Sequence, residues 1–434
     1  MSLLKGRLKH NKDTKIKEFL SSLEMDRELI EYDIKGSIAH VEMLAQCKII
    51  SVSDSEKITR ALRDILQNIH KGNIKLPKEE DIHLAVEKLL IRKVGKVGEK
   101  IHTARSRNDQ VVLDERLYLK DKIPKIISLL KVIQSKILIM VRKSKNAIFP
   151  GFTHLQHAQP VFFSDWLLAY NEMLKRDIER FKGCLRRVDV SPLGACALAG
   201  TTLPISVKLS SKKLGFKKIF KNSIDAVSDR DFLLEFLFCS SVLVTHLSRI
   251  MEDLIIFSTE EFGFIEFSED VCSTSSVMPQ KKNPDVAELI RGKTGKVYGS
   301  LFSLLVILKG LPLSYNRDMQ EDKEPLLLTT RNLEKILDAV IKVFSSFKIN
   351  KKKMRSACEK GYMNATELAN YLVTKGLPFR NAHSLVGKIV RYCIDKGKKL
   401  NELSLDEYKK FSKLFSEDLY KKIDIDNIVK RASH

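Results

Sequence analysis

Residues 273–290 carry side chains that could hold an anionic substrate and exchange a proton with it. In the first half, residues 273–276 carry hydroxyl groups and Lys281 carries an amine. A proline interrupts this half, which predicts a loop. The second half predicts a helix start, with Asn283 as the N-cap and Pro284 at the first helical position. Because the amides of a helix N-terminus attract anions, this arrangement could place serine hydroxyls beside a bound carboxylate. A solvated basic loop is the alternative interpretation.

Two further polar clusters interrupt the apolar pattern of the chain. Residues 103–110 contain two arginines, two hydroxyl side chains and two side-chain amides, a set that could bind carboxylates and an amino-acid head group. A capped turn is the structural interpretation of the same cluster. Residues 153–159 add His154 and His157. A lone histidine in a loop more often makes a structural hydrogen bond than it catalyses, and we interpret His157 as structural.

Five long segments carry apolar side chains at intervals of three and four residues, which predicts five long helices. We expect these helices to begin near Asp121, Ser164, Ser228, Glu288 and Leu328, with Ser228 as an N-cap. Pro124 predicts a kink or a restart near the beginning of the first helix. Closely spaced glycines in the fourth helix predict that a neighbouring element approaches it; they are Gly292, Gly295 and Gly299.

Shorter signals mark the two ends of the chain. Ser53 is predicted to cap a helix in a capping box with Glu56, and residues 95–98 are predicted to form a loop. A lysine-rich stretch at residues 349–353 predicts a boundary before a small helical region. Because no alternating strand pattern is present, we predict an all-α protein with a central helical bundle. We expect three domains, at residues 1–106, 107–350 and 351–434.

Length, charge and cysteine content bound the class of protein. The chain has 434 residues, enough for a large core, and a formal charge of +22. The lysines are spread along the chain, so we predict no nucleic-acid partner. Seven cysteines without a Cys-x-x-Cys pair argue against a disulfide framework and a zinc site. The apolar run 301–308 is too short to span a bilayer, and residues 1–5 precede polar sequence, so we predict a cytoplasmic protein with no membrane partner.

Four motifs occur in a fixed order along the chain. They are Thr-Ala-Arg-Ser-Arg-Asn-Asp-Gln at 103–110, Thr-His-Leu-Gln at 153–156, Met-Pro-Gln-Lys-Lys-Asn-Pro-Asp at 278–285 and Tyr-Asn-Arg-Asp-Met-Gln-Glu-Asp-Lys-Glu at 315–324. Together they resemble the argininosuccinate lyase family of the fumarase/aspartase lyase superfamily. The resemblance implies an elongated central helical bundle flanked by smaller, mainly helical N- and C-terminal domains. It also implies a homotetramer whose active sites combine segments from three subunits.

The resemblance further implies a reaction and its catalytic residues. Members of this family split argininosuccinate into arginine and fumarate by a reversible β-elimination, as part of arginine biosynthesis. By resemblance, Ser275 is the base and His154 the acid or proton relay, and the two roles exchange with the direction of the reaction. Lys281 would stabilise the serine alkoxide, and Glu288 matches the carboxylate that pairs with the histidine.

Further residues match positions that bind the substrate in this family. They are Ser22, Asn108, Thr153, Asn283, Tyr315, Gln320 and Lys323, with Arg107 and His83 as weaker candidates. The sequence contains no metal-ligand cluster and no nucleotide-binding fingerprint, so no cofactor is expected.

The departures from the family pattern include two single residues in the interior of the chain. Thr274 stands where a glycine usually precedes the paired serines, which should stiffen a loop that has to move. Cys196 stands where a glycine is usual. Three alternatives remain open: a superfamily lyase acting on another substrate, such as adenylosuccinate or aspartate, a non-catalytic structural homologue of the same fold, and a nucleic-acid binder supported only by charge.

Overall fold

A computed structural model describes residues 13–432 of the chain, and these residues form eighteen α-helices. The helices are α1 (Thr14–Leu20), α2 (Leu23–Asp26), α3 (Ile30–Gln46), α4 (Val52–His70), α5 (Ile82–Val94), α6 (Arg107–Lys143), α7 (Phe163–Val188), α8 (Val207–Lys213), α9 (Ser223–Ser228), α10 (Asp231–Ser258), α11 (Asp285–Leu308), α12 (Lys323–Ser345), α13 (Lys351–Ala357), α14 (Ala365–Thr374), α15 (Phe379–Lys396), α16 (Leu405–Lys409), α17 (Asp418–Ile423) and α18 (Ile425–Ala432). Residues 1–5, on which the prediction of a cytoplasmic protein rests in part, lie outside the described residues.

Eight short strands in the described range pair into four two-stranded sheets. The strands are β1 (Ile148–Thr153), β2 (Gln156–Phe162), β3 (Val190–Ser191), β4 (Lys218–Ile219), β5 (Ile265–Phe267), β6 (Ser273–Thr274), β7 (Lys282–Asn283) and β8 (Phe347–Ile349). The pairs β1–β2, β5–β8 and β6–β7 are antiparallel, whereas β3–β4 is parallel. Most of these strands are too short to show an alternating pattern, so the sequence did not reveal them.

The five long helices α6, α7, α10, α11 and α12 confirm the prediction of an all-α protein built on a helical bundle. They contain 37, 26, 28, 24 and 23 residues, respectively. Their apolar stripes are buried, as on α6, where Ile126, Ile133 and Ile137 are fully covered. Full burial of one such side chain contributes about 1.5–3 kcal/mol, so these stripes hold the helices together.

Helix α6 begins at Arg107, well before the start that was predicted at Asp121. The polar residues before the apolar stripe belong to its first turn, where the Asp109 carboxylate accepts a hydrogen bond from the Ser106 N–H (3.0 Å). Such a bond is one half of a capping box, so the polar cluster is itself the start signal. The helix continues through Pro124, and the predicted restart is absent from it.

Three other predicted boundaries also differ from the structure. Ser51 caps α4 in place of Ser53. Both are serines in the same short stretch, so the side chain alone does not distinguish them. The helix begins at Val52, and the unpaired backbone N–H of Asp54 in its first turn donates to Ser51. Ser228 ends α9 and does not cap α10, which begins at Asp231. The segment Gly95–His102 forms a 3-10 helix where a loop was predicted.

The chain divides into two compact units, each with its own core. Unit 1 comprises Met1–Ser128, Asp177–Val244 and Lys293–Lys335, and unit 2 comprises Leu129–Arg176, Thr245–Gly292 and Ile336–His434. Buried apolar side chains of α3, α4 and α5 form a core in unit 1. Those of α14, α15 and α17 form a core in unit 2. Each long helix contributes residues to both units, and the three domains expected at 1–106, 107–350 and 351–434 stay a prediction.

Helix α10 is long and apolar enough to cross a membrane when it is judged by length and composition, and among the described residues no other helix is. However, 56% of its most apolar 18-residue window is buried inside the protein. Phe236, Leu247 and Leu254 on this helix are fully covered. Core helices of globular proteins share these properties, so α10 is weak support for a membrane span.

Candidate active site

Ser22, Asp26 and Lys323 form a buried, hydrogen-bonded group in unit 1. Ser22 Oγ donates to one carboxylate oxygen of Asp26 (2.6 Å), and Lys323 Nζ donates to the other (2.6 Å). Burial by itself would lower the pKa of Lys323, but the charges of Asp26 and Asp322 raise it above its usual value. Lys323 therefore remains a cation although its side chain is only 4% exposed. The group places a hydroxyl and a positive charge side by side, and in this structure the carboxylate that they bind is that of Asp26.

Gln320 and Arg317 connect this group to the N-terminal segment of unit 1. Both side chains donate to the backbone carbonyl of Leu20, from Gln320 Nε2 (3.4 Å) and from Arg317 Nη2 (2.8 Å). Arg317 also donates to Glu80 Oε1 (2.7 Å), and the Glu80 carbonyl accepts from the Ser22 N–H (2.8 Å). Gln320 is thus brought close to Ser22, although 300 positions separate it from Leu20 in the sequence.

Arg107 and Asn108 lie in the first turn of α6, and their side chains bond to other parts of unit 1. Arg107 Nε donates to Asp81 Oδ2 (2.7 Å), which belongs to the N-cap of α5, and Arg107 Nη1 donates to Gln110 Oε1 (2.7 Å). Burial disfavours the charged form of Asp81, but neighbouring cations hold its pKa below the usual value. Asn108 Nδ2 donates to the carbonyl of Ala197 (3.0 Å). These bonds fix the orientation of both candidates.

Asp33, His83 and Asp114 form a buried network in unit 1. His83 Nδ1 lies 2.9 Å from Asp33 Oδ1 and 3.5 Å from Asp114 Oδ2, and Gln110 Nε2 also donates to Asp33. Burial raises the pKa of Asp114 well above its usual value. Burial also acts on Asp33, but His83 and Arg105 outweigh it and lower its pKa. The ligand atoms of the three groups lie within 4.8 Å of one another, yet Arg105 already supplies positive charge there. We assign the network, including His83, to positioning.

His40 gives the predicted binding segment a pH-dependent anchor. Its Nε2 lies 2.8 Å from the carbonyl of Thr103, and burial lowers the pKa of His40 to about 3 from the ordinary 6.5. The unfolded chain therefore binds a proton first as the pH falls below about 6.5, and folding stability is lost between that pH and about 3. Between pH 6.5 and 5, the free energy of unfolding should fall by about 1.5 kcal/mol more in the wild type than in His40→Gln.

Urea denaturation at the two pH values measures this difference. Both proteins should be compared at one protein concentration, because association with other chains also changes apparent stability. Identical pH dependence in the wild type and in His40→Gln would show that the histidine is not the titrating anchor.

Tyr315 lies partly buried before the 3-10 segment Arg317–Asp322. Burial raises the pKa of Tyr315, so its phenol stays neutral and can both donate and accept hydrogen bonds. The charges of Arg230 and Lys323 also act on this phenol, and they pull its pKa in the opposite direction. Tyr315 therefore offers a neutral hydroxyl beside cationic side chains.

Thr153 and His154 occupy the exposed tip of the β1–β2 hairpin in unit 2. Thr153 pairs with Gln156, so His154 and Leu155 form a two-residue turn. Both turn residues have positive φ values, 55° and 56°, which is the combination of a type I′ turn. Histidine is among the residues that tolerate a positive φ best, whereas Leu155 is strained in this conformation, and such strain clusters at functional sites. The structure thus places the predicted acid on a strained, exposed turn.

Ser275 and Lys281 are the first and last residues of an exposed loop between β6 and β7. Ser275 Oγ accepts hydrogen bonds from the backbone N–H groups of Val277 (3.2 Å) and Met278 (3.0 Å). Hydrogen bonds to an oxygen favour its charged form, so this geometry makes a serine alkoxide less costly. Thr274 lies in β6, where a β-branched side chain suits the strand.

Asn283 was predicted to be the N-cap of α11, and that prediction is wrong. Asn283 lies in β7 instead. Helix α11 begins at Asp285, and the Pro284 carbonyl accepts the first helical hydrogen bond from the Glu288 N–H (3.1 Å). Because Asn283 pairs with another strand, the helix starts one residue later than the capping pattern indicated, and three residues before the start predicted near Glu288. Glu288 is exposed in the first turn, and its pairing with His154 stays a prediction.

Cys196 has a φ of 53°, in the left-handed region that glycine adopts without strain. This conformation explains why a glycine is expected at the position. The Cys196 N–H donates to Asp109 Oδ2 (2.9 Å), and that bond holds the strained residue in place. Burial raises the pKa of the Cys196 thiol to about 11, so it is unreactive at neutral pH.

Asp26 and Asp81, the two carboxylates that hold candidates of unit 1, were not among the residues predicted from the sequence. Asp26 accepts from Ser22 and Lys323, and Asp81 accepts from Arg107. The spacing of four residues between Ser22 and Asp26, on one helical face, was the available signal for the first. Asp81 had only the weaker signal of a residue that suits an N-cap before an amphipathic helix. The candidates of unit 2 lie instead on an exposed turn, an exposed loop and a helix start.

Known proteins are similar in sequence to this chain over nearly its whole length. A family model described as lyase matches residues 6–299, and one described as argininosuccinate lyase C-terminal matches residues 362–430. An argininosuccinate lyase from Acetivibrio thermocellus is 48% identical over 430 residues, which is 99% of this chain and 94% of that protein. An argininosuccinate lyase from Bacillus mycoides is 50% identical over 427 residues, covering 98% and 92% of the two chains.

Solved structures show the same fold. An EDDS lyase in complex with formate has a TM-score of 0.83 at 26% identity and covers 98% of this chain and 87% of its own. A class II fumarase from Schistosoma mansoni has a TM-score of 0.81 at 18% identity, covers 93% and 91%, and supports the fold alone. These similarities confirm the predicted fumarase/aspartase-like fold. Since close relatives match nearly its whole length and both family models match it in order, the chain belongs to the argininosuccinate lyase family, a family of lyase enzymes.

Proposed function

We propose that this protein catalyses the reversible β-elimination of argininosuccinate to arginine and fumarate, a reaction of arginine biosynthesis. The observation that carries the proposal is an identity of 48–50% to argininosuccinate lyases over nearly the whole chain. The two sets of candidate residues are complementary in chemistry. One set offers groups that bind carboxylates and amino acids, and the other offers groups that transfer protons.

The elimination begins with removal of a proton from the carbon next to a carboxylate. The electron pair of that C–H bond becomes the double bond of fumarate as the carbon–nitrogen bond breaks, and the departing guanidine nitrogen takes a proton. Ser275 acts as the base, because two backbone N–H donors and the charge of Lys281 stabilise its alkoxide. His154 delivers or relays the proton to the leaving group, with Glu288 as its partner.

Negative charge grows on the substrate carboxylate while the proton leaves. Lys281 and Asn283 face this charge and stabilise it. The N-terminal amides of α11, a 24-residue helix, carry partial positive charge and stabilise it further. These groups bind the fumarate half of the substrate. They do not discriminate between argininosuccinate, adenylosuccinate and aspartate, because all three molecules contain that half.

Discrimination comes from the groups that face the leaving half. For argininosuccinate this half is an α-amino acid on a guanidine stem, whose carboxylate and ammonium need acceptors and donors together. Hydroxyl and amide side chains provide both; they are Ser22, Asn108, Thr153, Tyr315 and Gln320. Arg107 and Lys323 add positive charge for the carboxylate.

The substrate choice follows from this set of groups. We expect the protein to release fumarate from argininosuccinate, and to release none from adenylosuccinate or aspartate. Gln320→Ala should chiefly raise KM, because it removes a binding group and no proton-transfer group. Gln67→Ala on the exposed face of α4 is the matched control and should change neither constant. Ultraviolet absorbance of the released fumarate measures cleavage of each of the three substrates. Faster cleavage of adenylosuccinate or aspartate than of argininosuccinate would overturn the assignment.

The proposed enzyme is a homotetramer with composite active sites. Helix α11 carries apolar side chains that the described chain leaves open, with Phe302 69% and Leu305 48% exposed. Apart from the backbone of α11 itself and the adjacent residues, a Cβ added at Gly292, Gly295 or Gly299 would meet no atom of the described chain within 4 Å. The sequence predicted a close neighbour for these glycines, and a second copy of the chain supplies it in the proposed assembly. Extended apolar surface of this kind is typical of subunit interfaces.

Mixing two inactive variants tests the composite site. His154→Ala and Ser275→Ala chains should each be inactive, but exchange of subunits should restore activity if His154 and Ser275 of one site come from different chains. Random exchange leaves about a quarter of the sites with both groups intact. A chain with both substitutions, mixed with either single variant, should recover nothing. A lack of recovery after verified subunit exchange would count against the composite site.

The proposed location is the cytoplasm. All seven cysteines are free, which fits a reducing compartment. The formal charge of +22 is consistent with attraction of a substrate that carries several carboxylates.

A further inference from the structure

We propose that His157 and Gly361 are positioning residues for His154, because the contact between them fixes the hairpin that carries His154. The catalytic role of His154 belongs to the proposed function, on which this positioning role rests. The sequence favours a structural role for His157, and the contacts of the hairpin define what this histidine supports.

His157 lies directly behind the tip of the β1–β2 hairpin. In the register of the two strands, Phe152 is opposite His157 and Thr153 is opposite Gln156, after which the two-residue turn follows. The rings of Phe152 and His157 lie beside each other, with their centroids 5.3 Å apart. Hydrogen-bonded strands move together, so a displacement of His157 passes through one residue pair to the turn with His154.

Gly361 contacts His157 so closely that a methyl group does not fit without movement. A Cβ at Gly361 would lie 3.0 Å from His157 Nδ1, 3.2 Å from its Cβ and 3.4 Å from its Cγ. Rotation of the imidazole does not relieve the contact with the His157 Cβ, since Cβ stays in place when χ1 changes. The backbone of β2 or that of the turn at Gly361 has to give way instead, by a few tenths of an ångström.

The base of the hairpin is anchored, whereas its tip has open space beside it. Ile148 and Phe162 pack into a buried cluster with Cys358, Met363, Ile425, Ile428 and Val429 of the C-terminal region. Nearer the tip, a cavity of about 500 Å³ is lined by Phe152, Leu155, His157 and Lys360. The cavity gives the tip room to move, so its position depends on the contact at Gly361 and on the ring contacts of Phe152 with Phe262 and Phe264.

This contact links the C-terminal region to the proposed chemistry. Gly361 immediately precedes residues 362–430, which the C-terminal family model matches. A proton-transfer group loses much of its effect when it is displaced by a fraction of an ångström to an ångström. The C-terminal region therefore contributes to the position of His154 through Gly361 near the tip and through the cluster at the base, without contributing a reacting group.

The test compares Gly361→Ala with a matched glycine of the same unit. Gly361 has a φ of 71° and Gly376 a φ of 93°, so alanine strains the backbone at both positions, but a Cβ at Gly376 meets nothing within 4 Å. We expect Gly361→Ala to lower kcat by about tenfold with little change in KM. Hydrogen exchange of the peptide 148–162 should become faster in the same variant. Gly376→Ala should change neither kcat nor this exchange.

Reciprocal substitution separates positioning from general damage. His157→Gly removes the contact from the other side and should also lower kcat and loosen the hairpin. The double variant Gly361→Ala, His157→Gly moves a methyl group into the vacated space and should be more active than either single variant. The positioning role is wrong if the kcat of the double variant is no higher than that of the single variants. It is also wrong if Gly376→Ala lowers kcat as much as Gly361→Ala does.

Hydrogen exchange keeps this outcome separate from that of the proposed function. A wild-type protein that releases no fumarate from argininosuccinate would refute the proposed function. Unchanged exchange of residues 148–162 in both Gly361→Ala and His157→Gly would refute the positioning role, whatever the substrate. Should Gly361→Ala fail to fold, His157→Gly alone decides, because it adds no strain at a positive φ.

Discussion

Replacement of Ser275 by alanine is expected to lower kcat by roughly 10²–10⁴-fold and to leave binding of argininosuccinate largely intact. The serine is proposed to remove the proton, so its loss affects the transition state far more than the ground state. Its Oγ accepts two backbone hydrogen bonds inside the loop, from Val277 and Met278. Fumarate absorbance measures turnover, and isothermal titration calorimetry measures binding.

Two variants control for the loss of these loop bonds. Ser276→Ala removes a neighbouring exposed hydroxyl and should retain activity. Ser275→Thr keeps the hydroxyl and the acceptor for both N–H groups, so it should retain far more activity than Ser275→Ala. Full turnover by Ser275→Ala would exclude this serine as the base, and equal losses in the two Ser275 variants would assign its effect to the shape of the loop.

Replacement of Lys323 by methionine is expected to destabilise the protein by about 3–5 kcal/mol. The Lys323 ammonium is paired with the Asp26 carboxylate at 2.6 Å, and both side chains are almost fully buried. Methionine fills much of the same volume but leaves the Asp26 charge buried without its cation. The midpoint of urea denaturation at a fixed protein concentration measures the loss.

A matched lysine and a double variant test the cause of this loss. Lys125 forms an exposed pair with Asp121 at 2.7 Å, and Lys125→Met should cost at most about 1 kcal/mol. Combining Lys323→Met with Asp26→Asn removes both buried charges and should recover much of the stability. If Lys323→Met costs no more than Lys125→Met, the buried pair does not stabilise the fold as proposed.

Much of the fold was predictable because it is encoded locally. The apolar stripe of α6 sets which face of that helix is buried, and the same periodicity predicted all five long helices. Boundaries were less predictable where several residues could cap. Ser51 and Ser53 have the same side chain, and Asn283 could equally cap a helix or join a strand. Pairing with β6 decided the second case, and no local pattern encodes that pairing.

The motifs by themselves predicted the family and the reaction, and they supplied the residue types of a candidate site, because these reside in short continuous segments. Tertiary structure alone decided which of these side chains meet. Asp26 holds Lys323 across 297 positions of sequence, and Gly361 reaches His157 only because the chain folds back on the hairpin. Burial was likewise decided by packing, and it is burial that lowers the pKa of His40. Residue type states what a group can do, whereas its surroundings, assembled from distant segments, set its charge and position.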